Sequence, residues 1–369
     1  MKILYVSTVS STTNAFLIPH IKMLVEDSHQ VDVAFKKTRP LKAELQKLIT
    51  NFYELNFSRS PAKNNFFELV KQTKKLILEG DYDIVHTHTP IASAVVRLAC
   101  RNIDKVRVIY TAHGFHFYKG APIKNWLIYY PVEKYLSKFT DTIVTINFED
   151  YHRIKDKFHS KSIEYIPGIG LDLEKFENVN PEKKKKLKDL GLPPNSFIVL
   201  SVGELNKNKN HEVIIRALGK LKKKEIHYII CGAGVLHNKL KTLSKELKVE
   251  ENVHLLGFRR DILEICKVSD LFVLPSKREG LPVSLMEAMA TGLPVVASNI
   301  RGNSELIDDK KGGFLCSKDS IEEYVESIEN LFLNPDTREK FGKYNLEKIK
   351  NYSVENVTFM LRKIYSKYF

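Results

Sequence analysis

At 369 residues the chain is longer than one hydrophobic core usually supports, and an apolar fraction of 43% is ample for two packed domains. A net charge of +14 favours anionic partners, whether nucleic acid, phosphorylated substrates or an acidic membrane surface, without choosing among them. No apolar run reaches the ~18 to 20 residues of a membrane span, and "MKILYVSTVS" is too short for a secretory signal and reads as a buried strand. Cys100, Cys231, Cys266 and Cys316 lie too far apart for a metal or redox motif, which suits free thiols in a reducing cytoplasm.

In chain order, "KILYVS", "QVDVAF", "YDIVHTH", "RVIYTAHG" and "DTIVTI" read as strands, separated by helical segments at 14–27, 65–79, 91–102 and 123–138. The pattern then restarts with "SFIVLSVG", "IHYIICGAG", "NVHLLGF", "DLFVLPS" and "LPVVAS". Strands alternating with helices predict parallel sheets, and the restart predicts two of them in an α/β protein. The stretch "IPGIGLDLEKF" and the Lys/Pro-rich 180–195 form a connector, so a boundary is expected near residue 175. The lysine run at 183–186 reads as the solvated face of a short helix.

Ligands of open α/β sheets bind beyond the carboxyl ends of the strands, and a ligand shared by two such domains would lie in the cleft between them. Neither GxxxxGK[ST] nor GxGxxG opens the first helix, and the Gly232-Ala233-Gly234 turn is a weak signal by itself. The stretch "PSKREGLPVSLMEAMATGLPVVA" says more. Its strand ends near Pro275, and Pro282 can start a helix that Gly292 stops. Glu279 then stands beside the helix N-terminus, whose free N–H groups on Leu281, Val283 and Ser284, flanking Pro282, suit an anion, while Gly280 lets a ligand approach the backbone. Glu287, one to two turns in, could accept from hydroxyls farther along the ligand. The alternative is that Glu279 only complements the helix dipole and Glu287 faces solvent.

This block resembles the E-x7-E signature of the retaining, GT-B-fold glycosyltransferases of family 4, and "YDIVHTH", "TAHG", "IPGIGLDLEKF", "SVGELNKNKN", "CGAG" and "HLLGFRRDI" follow that family in order over nearly the whole chain. It is similar above all to bacterial capsule, exopolysaccharide and lipid-linked glycan transferases. The resemblance implies two Rossmann-like parallel-sheet domains facing a central cleft. Residues 1–175 would bind the acceptor and 176–352 the nucleotide sugar, with 353–369 as a terminal helix crossing back to the first domain. The donor, a UDP-hexose or UDP-N-acetylhexosamine, would set its diphosphate at the helix start, its sugar at Glu279 and its ribose at Glu287.

The resemblance also implies the remaining roles. In the family a G-R-x4-K loop holds the diphosphate. Here the loop is "GELNKNKN", so Gly203 and Lys209 match while Glu204 stands in the arginine position, leaving Lys207, Arg259 or Arg260 to supply the missing charge. Positive charge aimed at the departing diphosphate is the main electrostatic aid. Gly232, Gly234 and Phe258 complete the donor set. His113 is expected near the transferred sugar, contacting a hydroxyl or stabilising developing charge, with His116 beyond it. Many relatives carry a Gly-Gly pair after the first strand, where this chain offers Thr12, Thr13 and Asn14. No metal or other cofactor is expected: His86 and His88 lack a third ligand, and Asp81 and Asp83 precede a strand.

The expected acceptor is polyprenyl-diphosphate-linked, met by a peripheral protein at the cytoplasmic face of the membrane. Residues 115–139 interleave Trp126, Tyr129, Tyr130, Tyr135 and Phe139 with Lys119, Lys124, Lys134 and Lys138, which suits an anionic headgroup layer, although the same aromatics could pack onto the first sheet. A GT-B epimerase or phosphorylase shares the fold, but no pyridoxal lysine is evident. A nucleic-acid binder suits the charge, yet the basic residues are spread and no binding module is present.

Overall fold

Runs rich in Ile, Val and Tyr form the first sheet of the computed structural model, which describes residues 1–58 and 65–368. Its strands are β1 (Lys2–Val9), β2 (Gln30–Lys36), β3 (Phe52–Glu54), β4 (Ile84–His88), β5 (Arg107–Ala112), β6 (Thr142–Thr145) and β7 (Ser162–Tyr165). They lie parallel in the order β3-β2-β1-β4-β5-β6-β7. The second sheet holds β8 (Phe197–Val202), β9 (Ile226–Cys231), β10 (Val253–Gly257), β11 (Leu271–Leu274), β12 (Val295–Ser298) and β13 (Gly313–Cys316), parallel in the order β10-β9-β8-β11-β12-β13. β4, β9 and β11 are buried along their whole length, as parallel strands covered by helices on both faces should be.

The strands that the sequence reading lacks are β3, β7 and β13, and all three are sheet edges of three or four residues. An edge strand is covered less, so its sequence carries a weaker apolar signal. In each sheet the strand order reverses once, between β1 and β4 in the first and between β8 and β11 in the second. Loops leaving the carboxyl ends of those pairs diverge and open a crevice, which is where such sheets hold ligands.

The chain divides into two compact units, Met1–Gly170 with Val354–Phe369, and Leu171–Ser353. In the first, helix Val354–Tyr365 buries Val357, Leu361, Ile364 and Tyr365, and Arg362 Nε donates to Asp27 Oδ2 at 2.8 Å. Residues 59–64 and Phe369, counted above in the 1–175 and 353–369 segments, lie outside the described residues. In the second unit Leu171 bridges to Ser353. Each unit has its own core, around Leu4, Val85 and Val95 in the first and around Leu200, Phe272 and Leu285 in the second. All four cysteines are buried free thiols. Among the described residues no helix is long and apolar enough to cross a membrane.

Candidate active site

In the second unit the loops after β8 and β11 are stitched together. Asn206 Oδ1 accepts from the backbone N–H groups of Asn208 and Lys209, both at 2.9 Å, so the chain turns tightly after Leu205. Across the crevice Lys277 N–H donates to the Asn208 carbonyl at 2.7 Å, and Asn208 Nδ2 to the Arg278 carbonyl at 3.0 Å. These contacts bring Lys209 Nζ to 2.7 Å from Glu279 Oε1, with only 18% and 13% of the two side chains exposed. Lys209 runs over Gly203, where a Cβ would meet its Cε at 3.0 Å. His211, next along, donates or accepts between Nδ1 and the Tyr228 hydroxyl at 3.0 Å, and Tyr228 in turn donates to Ser201 Oγ at 2.9 Å, anchoring the loop to the sheet. Burial holds His211 neutral, its pKa lowered to about 4.

The helix Val283–Ala290 starts at Pro282 without a side-chain cap. Leu285 and Met286 N–H donate to the Pro282 carbonyl, whereas the amides of Val283 and Ser284 have no protein acceptor among the described residues. Free amides with the positive end of the helix dipole form an anion site. Gly302, at φ +84°, approaches so near that a Cβ there would sit 2.3 Å from the Gly280 carbonyl, so the loop after β12 braces this turn. Glu287 lies about one turn into the helix. It is half-buried, burial raises its pKa above the ordinary carboxyl value, and no protein group pairs with it among the described residues. A half-buried carboxylate without a protein partner carries a desolvation cost, which hydrogen-bond donors such as sugar hydroxyls would offset.

The other donor-side residues divide. Gly232 and Gly234 allow close backbone packing, since Cβ atoms there would lie 1.8 Å from the Gly203 carbonyl and 2.5 Å from that of Leu205. Glu204 is exposed and accepts from Asn206 Nδ2 at 3.0 Å, which makes it a support of the turn. Arg259 is held by Asp261, with Nε to Oδ1 at 2.8 Å. Lys207, Arg260 and Phe258 are exposed, Phe258 by 79%. Leu281 and Pro282 form the buried or half-buried floor of the turn. Sequence reasoning missed Asn206 and Asn208, although the Asn-rich "LNKNKN" is an Asx-turn signal, and it missed Arg278, an exposed cation in the Glu279 loop.

In the first unit a cavity of about 280 Å³ is lined by Thr8, Val9, Thr12, Thr89, Pro90, Ile91, His116 and Tyr129. It lies at the reversal between β1 and β4. Thr89 adopts φ +71° and ψ 141°, a strained backbone for a β-branched residue, and its Oγ1 accepts from Thr8 N–H at 3.1 Å. The expected hydroxyl and amide loop is only partly available. Thr12 faces the cavity, but Thr13 is buried against Ser7 Oγ at 3.0 Å, and Asn14 is spent on the Pro40 carbonyl at 2.9 Å and the Lys42 N–H at 3.2 Å. Both sit in a π-helical turn, Thr13–Leu17, that points them at their own fold. His116 stacks on Tyr129 with centroids 4.6 Å apart. His113, at the end of β5, meets His88 Nδ1 through Nε2 at 3.2 Å, and burial lowers its pKa to about 4. His86 and His88 are wholly buried in hydrogen-bonded and stacked positions, Asp81 pairs with Lys105, and Asp83 accepts from Lys2 N–H at 2.7 Å.

Helix Ile123–Leu136 follows the packing alternative for three of its aromatics. Trp126, Tyr129 and Tyr130 pack inward around Phe117 and Phe158, and Glu133 forms a buried pair with Arg97 at 2.8 Å. The outward stripe is instead Lys124, Leu127, Ile128, Pro131, Val132, Tyr135 and Lys138, with Leu127 exposed by 72% and Ile128 by 57%.

Residues 182–348 match the family model described as glycosyl transferases group 1, and residues 2–147 that described as glycosyl transferase 4-like. A Bacillus subtilis (strain 168) protein named as a glycosyltransferase, EpsD, is 36% identical over 373 residues, covering 100% of this chain and 97% of its own. An Escherichia coli UDP-Gal:alpha-D-GlcNAc-diphosphoundecaprenol alpha-1,3-galactosyltransferase is 31% identical over 318 residues, 84% of this chain and 82% of that one. Among solved structures, Anabaena Alr3699/HepE in complex with UDP and glucose superposes over 100% of both chains with a TM-score of 0.81 at 20% identity. A glycosyltransferase from Rickettsia africae ESF-5 gives 0.81 at 22% identity over 100% of this chain and 98% of its own.

Proposed function

The chain belongs to the group 1, 4-like glycosyltransferases, and from that premise we propose that it moves a hexose or N-acetylhexosamine from a UDP-sugar, with retention, to a hydroxyl of a polyprenyl-diphosphate-linked glycan. It is a GT-B-fold glycosyltransferase. We place its work in assembly of a bacterial surface polysaccharide, as a peripheral protein at the cytoplasmic membrane face.

The observation that carries the donor half is the Lys209–Glu279 pair at the mouth of an uncapped helix, with the unpaired Glu287 carboxyl one turn further in. A diphosphate takes the amides of Val283 and Ser284 and draws Lys209 toward it, which frees Glu279 for the sugar. Glu287 receives the ribose hydroxyls. The bond from the anomeric carbon to the phosphate oxygen breaks as the bond to the acceptor oxygen forms on the same face, and the acceptor's proton passes to the departing phosphate. Lys209 and the helix N-terminus stabilise the charge that accumulates there, in place of a divalent ion. His113 meets a sugar oxygen.

For the acceptor, helix Ile123–Leu136 contributes Tyr129 to the apolar-walled cavity and an apolar stripe with a lysine near each end to the surface. An amphiphile with a sugar head and an isoprenoid tail matches both features, and so does an anionic bilayer. The E. coli relative's named acceptor, a diphosphoundecaprenol, supports the same class. The test is UDP release from a panel of UDP-sugars, with and without polyprenyl-diphosphate-linked GlcNAc and with and without EDTA. Lipid-dependent, EDTA-insensitive release is expected. Release with soluble sugars alone would refute the acceptor, and loss in EDTA restored by manganese would refute the metal-free donor site.

A further inference from the structure

We infer that His88 sets the tautomer of His113, donating from Nδ1 to His113 Nε2 so that His113 presents an N–H at its own Nδ1. This rests on the reading above, in which His113 meets the sugar.

β4 and β5 are parallel neighbours with His88 opposite Thr111, and His113 lies two residues beyond that pair. His88 Nδ1 and His113 Nε2 stand 3.2 Å apart, with ring centroids at 5.4 Å. Two ring nitrogens this close share one proton, since two would clash and none would oppose two lone pairs. Burial keeps both rings neutral, so each carries a single N–H.

Two arrangements satisfy these conditions. If His113 donates, the proton of His88 must sit on its Nε2. That atom is buried and has no partner among the described residues, so an N–H donor would be left without an acceptor. If His88 donates, its Nε2 holds only a bare lone pair. Orphaned buried donors are the rarer and costlier vacancy, so the second arrangement is the stable one. The His88 ring cannot turn freely to escape the choice. It is fully buried, stacked on His86 at 4.3 Å and on Tyr5 at 5.2 Å. His86 is itself fixed by the Tyr365 hydroxyl at 2.6 Å and Thr111 Oγ1 at 2.8 Å.

The consequence is chemical. With its proton on Nδ1 and Nε2 engaged, His113 can only donate to a ligand oxygen and cannot accept the acceptor's proton at Nδ1. His88 is thus a positioning residue, and the polarity of the site toward the sugar is decided one ring behind the surface.

The test is the ¹⁵N spectrum of the full-length protein labelled at histidine, with the His113 signals identified as those lost in His113→Ala. The Nδ1–H form of His113 is expected in the unmodified protein. His88→Asn keeps an N–H donor in the place of Nδ1 and should retain that form with most of the activity. His88→Phe keeps the stack but not the donor, and should shift His113 toward the Nε2–H form and lower kcat tenfold or more with UDP affinity unchanged. An Nε2–H form in the unmodified protein, or an unaltered tautomer in a folded His88→Phe, would overturn the inference. Wild-type transfer by His113→Ala would instead remove the reading it rests on and leave the tautomer measurement intact.

Discussion

Lys209 and Glu279 neutralise one another in the unliganded site, yet each is assigned to a group that changes as the sugar departs. Lys209→Ala and Glu279→Ala should therefore each lower kcat by about 10²-fold or more, the scale of losing one aligned electrostatic contact in a dry site. Steady-state kinetics on purified, folded variants decides this, and full activity in either would remove the assignment. Glu287 predicts a trade. Its folded pKa is raised, so the native state holds a proton that the unfolded chain has already released, and stability falls as pH rises past the ordinary value of 4.5. Glu287→Gln should raise the thermal midpoint of the unliganded protein at neutral pH while weakening UDP binding by about 1 to 3 kcal/mol. Calorimetry and thermal shift together read both signs. At this scale the sequence disclosed the residues whose chemistry is tied to a spaced motif, Glu279, Glu287 and Lys209. It did not disclose Asn206, Asn208 or His88, because their partners are set by the alignment of loops and strands far apart in the chain.

Elements show a different limit. Central strands were readable from continuous Ile/Val runs, whereas β3, β7 and β13 were not, because an edge needs only a few apolar residues on a single face. Helix Ile123–Leu136 is apolar around most of its circumference, so periodicity could not say which face turns inward. The buried Arg97–Glu133 pair resolves it by fixing the rotation of the helix, since two charges removed from water must meet. The outward stripe should hold the protein on vesicles through two separable terms. Leu127→Glu with Ile128→Glu should weaken binding at every salt concentration. Replacing Lys124 and Lys138 with glutamate should abolish the salt-sensitive part, with UDP affinity unaltered in both cases. Sedimentation with neutral and anionic vesicles measures this, and equal binding to both would refute the electrostatic term.

Over the whole molecule, buried neutral imidazoles weaken the fold in acid. Burial holds His20, His113 and His211 near 4 and His86 and His88 well below the ordinary 6.5. The unfolded chain takes up protons first as pH falls, so this contribution is complete above 6.5 and drains below it, down to about 4 for His20, His113 and His211 and further for His86 and His88, at up to ~1.4 kcal/mol per pH unit for each histidine. A thermal midpoint independent of pH across that window would contradict this. The two-sheet architecture was legible because the strand-and-helix alternation restarts midway. The role of Tyr365 beneath His86 was not, since nothing local in "IYSKYF" marks a tyrosine for a core formed by residues near the other end. That shared core has a bearing on synthesis. The ribosome makes β1 and β4 early, but the helix that closes over Tyr5 and His86 emerges only after the whole of Leu171–Ser353. The half begun first is thus finished last, and until then an unclosed wall stands open to aggregation partners and chaperones. A released chain ending at Ser353 should yield a protease-resistant Leu171–Ser353 and a digestible 1–170, and equal resistance of the two would show that the first sheet closes without its late-arriving helix.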